Sequence, residues 1–314
     1  MREVILFLPR YYPNRKNTPT KVKLRRIFTE LNDTLRAKGI DSQTMCITEW
    51  NHNVFCRVSV CAGGRKAKMA KFKGKHGEII GSMMEHQQAS GNRHVVVELG
   101  YIHNRENYWS VGWDGLNGRA NFCNKNMDDS RIKKWGIDLA PWKNNSEGFV
   151  LFCLQIPWDA AIYHADYPKY IKATVGKILS STNRDIVLRE HPLINKSKLS
   201  NSEIANKYRE TLEEMLSHKR VYKSENKDVK SDFDKSWCVV AFNSNSTVEA
   251  AIYGIPSFVA DVGSMTWDIS SHNLDIENPI KPDRHQWLCD LSYAQWNADE
   301  IIQGQPFKQL GILK

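Results

Sequence analysis

The sequence predicts an α/β fold of two domains, the second built on a parallel sheet. Three observations carry this. Short β-branched or apolar runs alternate with helix-spaced segments along most of the chain. Gly or Pro stands at many of the transitions, as at Gly39, Gly100, Pro192 and Gly254. The 314 residues are enough for two separate cores.

In order, residues 3–8 (EVILFL) read as a strand, and residues 21–38 have helical spacing that ends before Gly39. Residues 40–47 return as a strand. Residues 57–62 form another, closed by Gly63-Gly64, and the β-branched run 94–99 is followed by Gly100. Residues 114–147 are rich in Asn, Gly, Asp, Lys and Trp with little periodicity. They are expected to be irregular and to end in a linker near 141–148. The second half is more regular. Strands are expected at 149–156, 185–189, 237–242 and 257–260, and helices at 167–180, 202–217 and 247–253, the last stopped by Gly254. Strand, helix and strand in such short order require parallel strands with right-handed crossovers. Residues 283–302 look helical. The expected domains are 1–145, 146–282 and a C-terminal helical segment, 283–314, packing back on the first.

Hydrophobic residues make up 41% of the chain and charged residues 25%, ordinary for a globular protein. No apolar run approaches the roughly 18–20 residues a membrane span needs, so stable membrane insertion is not expected. The first residues, MREVILFLPRYYPNR, lack a small-residue cleavage site and read as a buried strand, so a cytoplasmic protein is expected. The seven cysteines are odd in number and widely spaced, with no C-x-x-C pair and no His cluster to complete a zinc set. Cys153 and Cys238 lie in apolar runs and read as buried reduced thiols. No metal site is expected.

The net charge of +9 is uneven. Residues 1–150 hold 25 Lys and Arg against 14 Asp and Glu, whereas the remainder holds 19 against 21. Between Glu49 and Glu78 there is no acid, yet Arg57, Arg65, Lys66, Lys68, Lys71, Lys73 and Lys75 are there. Such a face suits a polyanion, most simply nucleic acid; a solvated basic loop is the equal alternative.

Ligands of open parallel sheets sit beyond the carboxyl ends of the strands. Three polar clusters fall at such ends: Gln155 to Asp159, Arg189 to Pro192, and Asn243-Ser244-Asn245-Ser246-Thr247, which also opens a helix. A helix N-terminus attracts phosphate, and small hydroxyl and amide side chains add donors there. Ser246 and Glu249 also fit a capping box, which alone would account for them. His191, before Pro192, could donate to a phosphate or act catalytically by protonating a leaving group, or be a turn histidine satisfied by backbone.

Arg189-Glu190-His191-Pro192 followed by FNSNSTVEAAIYGIPSFV resembles the HP and serine motifs of bacterial capsule-polysaccharide transferases and related sialyltransferase-like enzymes. Gln155 and Asp159 look like the start of that family's C-terminal domain, and Glu98-Leu99-Gly100-Tyr101 is similar to an acidic-Gly motif of its N-terminal domain. Residues 283–300, with LSYAQW, look like phage and bacterial members of the same group. The resemblance covers roughly residues 95–105 and 150–303, and residues 1–90 match nothing named. It implies a GT-B fold, two Rossmann-like domains facing across a cleft, and metal-independent glycosyl transfer with no cofactor beyond the sugar nucleotide, a uridine donor being expected over a cytidine one. Gln155, Asp159, Arg189, His191, Asn243, Ser244, Asn245, Ser246, Thr247 and Glu249 would then form the donor site. Glu98 would be the general base, although two acids usually precede the Gly of that motif; Asp114 is the second candidate. A lone base implies inversion.

The acceptor is read from the basic half. With Tyr101, Tyr108, Trp109 and Trp113 near the candidate base, double-stranded DNA carrying a hydroxymethylated pyrimidine is the leading expectation, because an extruded base must be stacked and its backbone held. Arg65, Lys66, Lys68, Lys71, Lys73, Lys75, Tyr101 and Trp113 would make that contact. A capsule or lipopolysaccharide glycan is the alternative acceptor, and an inactive module binding nucleotide and nucleic acid is the third reading.

Overall fold

The computed structural model describes residues 2–10, 18–63, 67–196 and 202–314, with only the backbone path described for 67–77 and Lys196. The chain forms two compact units: Met1–Trp135 with Leu288–Lys314, and Gly136–Trp287.

Unit 1 starts with β1 (Arg2–Leu8), α1 (Pro19–Ala37), β2 (Ser42–Cys46), β3 (Cys56–Ala62), α2 (Ala67–Ala89), β4 (Arg93–Leu99), β5 (Tyr108–Trp113) and α3 (Ser130–Trp135). α1 begins where Thr18 accepts the Lys21 N–H and Pro19 occupies the first turn, where a missing N–H costs nothing. Its buried residues Leu24, Ile27, Phe28, Leu31 and Leu35 recur at helical spacing along one stripe. Strand alternation then decides which face each apolar residue serves. Val4 and Leu6 pack with the α1 stripe, whereas Ile5 and Phe7 pack on the other face with Ile80, Met83 and Met84 of α2. Each fully buried side chain of this kind contributes about 1.5–3 kcal/mol.

Unit 2 contains β6 (Phe149–Cys153), α4 (Tyr167–Ser181), β7 (Ile186–Arg189), α5 (Glu203–Leu216), β8 (Val221–Lys223), α6 (Val229–Phe233), β9 (Ser236–Ala241), α7 (Ser246–Tyr253) and β10 (Ser257–Val259). All pairings in its sheet are parallel, in the order β10-β9-β6-β7-β8. Val150, Phe152 and Leu154 pack on one face with residues of α4 and α5, and Leu151 and Cys153 on the other with Phe233 and Ala250. Helices therefore cover both faces, as an all-parallel sheet requires. α7 stops at Gly254, whose φ of +85° favours glycine. A Cβ there would lie 2.2 Å from the Pro141 carbonyl oxygen.

The C-terminal segment departs from the single helix expected over 283–302. It breaks into α8 (His285–Ser292), β11 (Gln295–Asn297), α9 (Ala298–Ile302) and α10 (Gln305–Gln309). β11 pairs antiparallel with β5, so unit 1's sheet runs β11-β5-β4-β3-β1-β2, parallel except at β5. Pairing decided the matter. The β5 backbone needed a neighbour, and Gln295 serves the loop after β4 by accepting from the Tyr101 and Ile102 N–H groups.

Candidate functional site

The strand order of unit 2 fixes where a ligand can enter. From β6 the chain steps outward through β7 and β8, then returns to the other side of β6 for β9 and β10. The crossovers on the two sides run in opposite directions, which leaves a crevice beyond the carboxyl ends of β6 and β9. The carboxyl ends of four of the parallel strands, β6, β7, β9 and β10, bring Gln155, His191, the serine turn 243–247 and Asp261 to this edge.

Two amides join the ends of β6 and β9. The Asn243 N–H donates to Gln155 Oε1 (3.0 Å), which fixes the Gln155 amide, and Gln155 Nε2 donates to Asn243 Oδ1 (2.8 Å). Asn243 Nδ2 donates to the Ala161 carbonyl (2.9 Å) and to Asp261 Oδ1 (2.8 Å), acceptors that fix the second amide. Asp261 also accepts the Gly263 N–H, and its Oδ2 lies 2.9 Å from His164 Nε2. Gln155, Asn243 and Asp261 are buried, and the network emerges at His164, whose side chain is one-third exposed. Gln155 and Asn243 are therefore struts holding the crevice in shape.

The serine turn follows Asn243. Asn245 is already helical in φ and ψ and makes no side-chain cap bond, so the expected Ser246–Glu249 capping box is absent and Ser246 stands inside the first turn. Ser244 Oγ lies 3.1 Å from Ser246 Oγ and accepts the Ser246 N–H. The Thr247 and Val248 N–H groups close on the Ser244 and Asn245 carbonyls. The half-buried Ser244 and Ser246 hydroxyls, rather than those amides, are thus suited to meet a ligand, at the positive end of an eight-residue helix. Thr247 is fully buried and its hydroxyl is used by the Ser244 carbonyl and Thr266. Glu249 is half-buried one turn along. His191 Nδ1 accepts the Leu193 N–H (3.1 Å), which makes Nε2 the N–H-bearing nitrogen of the neutral ring. Cys153, beside Ser246, is buried, and burial pushes its thiol up to about 12, so it stays protonated.

Several expected site residues have other work. Arg189 donates to Asp232 Oδ2 (2.6 Å) and to the Asn226 and Lys227 carbonyls (2.9 Å each), a largely buried pair that anchors the loop after β8. Asp159 caps a short turn through the Ala161 N–H (2.8 Å). In unit 1, Glu98 stands half-buried at the carboxyl edge, its Oε1 accepting the Leu99 N–H and its Oε2 3.5 Å from where a Gly63 Cβ would be. Asp114 lies at the opposite end of β4, because β5 runs antiparallel. There it pairs with Arg93 (2.7 Å) and accepts the His94 N–H, so the structure does not bring it to Glu98.

The aromatic stacking platform is corrected. Tyr101, Tyr108, Trp109 and Trp113 are buried, and the Trp113 indole donates to the Leu310 carbonyl, so they are core residues. Arg65 and Lys66 lie outside the described residues, and the side chains of Lys68, Lys71, Lys73 and Lys75 are likewise outside what the structure describes. Sequence reasoning missed His164 and Asp261. The available signal was that the 257–260 strand ends at the same edge, with an acid directly after it. Among the described residues no group of three or more His, Cys, Asp or Glu could hold a metal ion, and no helix is long and apolar enough to cross a membrane.

No family model matches the chain, and no curated protein matches it. Its fold is GT-B-like and resembles solved structures of Thermosulfurimonas dismutans KpsC. The β Kdo 2,7 transferase is 12% identical with a TM-score of 0.53, over 99% of this chain and 100% of that one. The β Kdo 2,4 transferase is 11% identical with a TM-score of 0.53, over 93% of this chain and 89% of that one.

Proposed function

We propose that this protein is a glycosyltransferase that moves a sugar from a nucleotide-sugar donor to a hydroxyl of a glycan acceptor. The serine turn at the β6/β9 crevice is the observation that carries the reading. Its two hydroxyls, 3.1 Å apart at a helix start, suit the phosphates of a donor, and His191 Nε2–H suits the same anion. The fold shared with two transferases named for Kdo transfer supports a sugar substrate.

The sugar–phosphate bond breaks through an oxocarbenium-like state. Ser244, Ser246, His191 and the α7 dipole stabilise the departing phosphate as its charge grows. Glu98 takes the proton of the acceptor hydroxyl as that oxygen bonds to the anomeric carbon. A single displacement of this kind inverts the anomeric centre. The DNA acceptor is the second reading and rests on the basic charge of residues 1–150 alone, now that the aromatic residues are core.

Titration of the full chain with UDP and CMP tests the donor site. One nucleotide is expected to bind, at least tenfold more weakly after Ser244→Ala or His191→Ala with thermal stability unchanged. If neither binds, the donor site is refuted. Incubation with sugar nucleotides and either oligosaccharides or hydroxymethylcytosine DNA, read by mass spectrometry, tests the acceptor. Product on oligosaccharide, lost in Glu98→Gln, is expected; product on DNA alone would select the second reading.

A further inference from the structure

Unit 1 holds a cavity of about 520 Å³ that the reaction above leaves unused, a volume typical of small-molecule sites. It is bounded by α3, Tyr293, β11, α9 and α10. Arg131 is its central group. The guanidinium lies 4.4 Å from the Trp296 ring centroid, 5.0 Å from Trp135 and 5.1 Å from Tyr293. Its Nη2 donates to the Gln295 carbonyl (2.9 Å) and to Glu300 (3.1 Å).

Two donors in the lining are unpaired. Arg131 Nε and Trp296 Nε1 are buried and make no hydrogen bond, and both residues are more than nine-tenths buried. Neither nitrogen has exposed surface, so a ligand in the cavity meets the rest of these side chains rather than the two N–H groups. The mouth adds charge. Lys134 and Lys308 line the cavity, are exposed, and form no ion pair among the described residues. The one carboxylate in the lining, Glu300, is already used by Arg131 and by the Asn297 N–H. Donors and positive charge are therefore in excess.

We propose that this cavity binds a sugar-sized anion bearing a phosphate or a carboxylate. Lys134 and Lys308 hold the charged group, and Arg131 and Trp296 form the buried wall it sits against. Ser130 and Gln305, also in the lining, serve the ligand's hydroxyls. Assigning the cavity to an acidic unit of the acceptor rests on the transferase reading; anion binding does not.

Calorimetric titration of the full chain with glucose 6-phosphate, glucuronate and glucose, in a saturating concentration of whichever of UDP and CMP binds unit 2, tests the proposal. At least one charged sugar is expected to bind tenfold or more tightly than glucose, the better one identifying phosphate or carboxylate as the preferred group. The double variant Lys134→Ala/Lys308→Ala is expected to lose tenfold or more of that affinity. Lys133→Ala, which removes a charge paired with Asp129 outside the cavity lining, is expected to change it less than twofold. Charged sugars binding no better than glucose, or equally to the double variant, overturn the proposal. The affinity of the same double variant for that nucleotide is expected to be unchanged, so failure of this site and failure of the donor site are read separately.

Discussion

Replacing Gln155 by leucine removes the amide that joins the ends of β6 and β9. The Asn243 N–H and Asn243 Oδ1 each lose a partner in a buried setting. Each orphaned group costs about 1–3 kcal/mol, and leucine recovers part of this through apolar burial, so a net loss of about 2–4 kcal/mol is expected. For a domain the size of unit 2, that lowers Tm by about 4–16 °C. Asn243 cannot compensate by flipping, because its Nδ2 is committed to the Ala161 carbonyl and Asp261. Gln155→Glu makes the comparison sharper. Its carboxylate keeps the Asn243 N–H bond but faces Asn243 Oδ1 with an acceptor and adds a buried charge near Asp261. Protonation restores a donor, so this variant recovers stability as the pH is lowered toward 5, whereas the leucine variant does not. Scanning calorimetry on the full chain at pH 5 and pH 7.5 measures both. A Gln155→Leu protein within about 0.5 kcal/mol of the parent would refute the strut.

Three further outcomes are expected. Asp232→Ala leaves Arg189 buried without its counter-charge and costs about 3–5 kcal/mol in urea unfolding; a loss below 1 kcal/mol would mean that water reaches the pair. Gly254→Ala forces a Cβ into left-handed backbone and against the Pro141 carbonyl, so it destabilises by at least about 2 kcal/mol and increases protease cutting within 136–148; unchanged digestion would count against this contact. Cys153 has a folded pKa of about 12 against an ordinary 9. Between those values the unfolded chain releases a proton the folded chain keeps, so stability falls as pH rises from about 9 to about 12. Cys153→Ala removes this contribution, and its unfolding free energy is expected to fall less steeply with pH across that range, by up to about 1.4 kcal/mol per pH unit; parallel slopes would refute it.

The sequence by itself determined the α/β class and four of the five strands of unit 2; it missed the three-residue β8 and ran the first strand to 156, where the structure ends it at Cys153. Runs such as 149–153 and 236–241 are apolar on both faces, which only a doubly covered parallel strand needs. The polar clusters after those strands were legible for the same reason, since a chain leaving a buried strand becomes polar where it meets the edge. What each residue in a cluster does was not legible. Arg189 and His191 stand two positions apart, yet one is committed to Asp232 and the other to the turn at Leu193, because partners 43 residues away cannot be read from local pattern. Tyr101 and Trp113 illustrate the converse, for aromatic side chains look alike in a core and on a binding face until burial is known. β11 is three residues long and too short for any periodicity, so only its pairing with β5 made it a strand. The cavity around Arg131 gathers residues from 130–135 and 293–309, and tertiary packing alone brings those segments together.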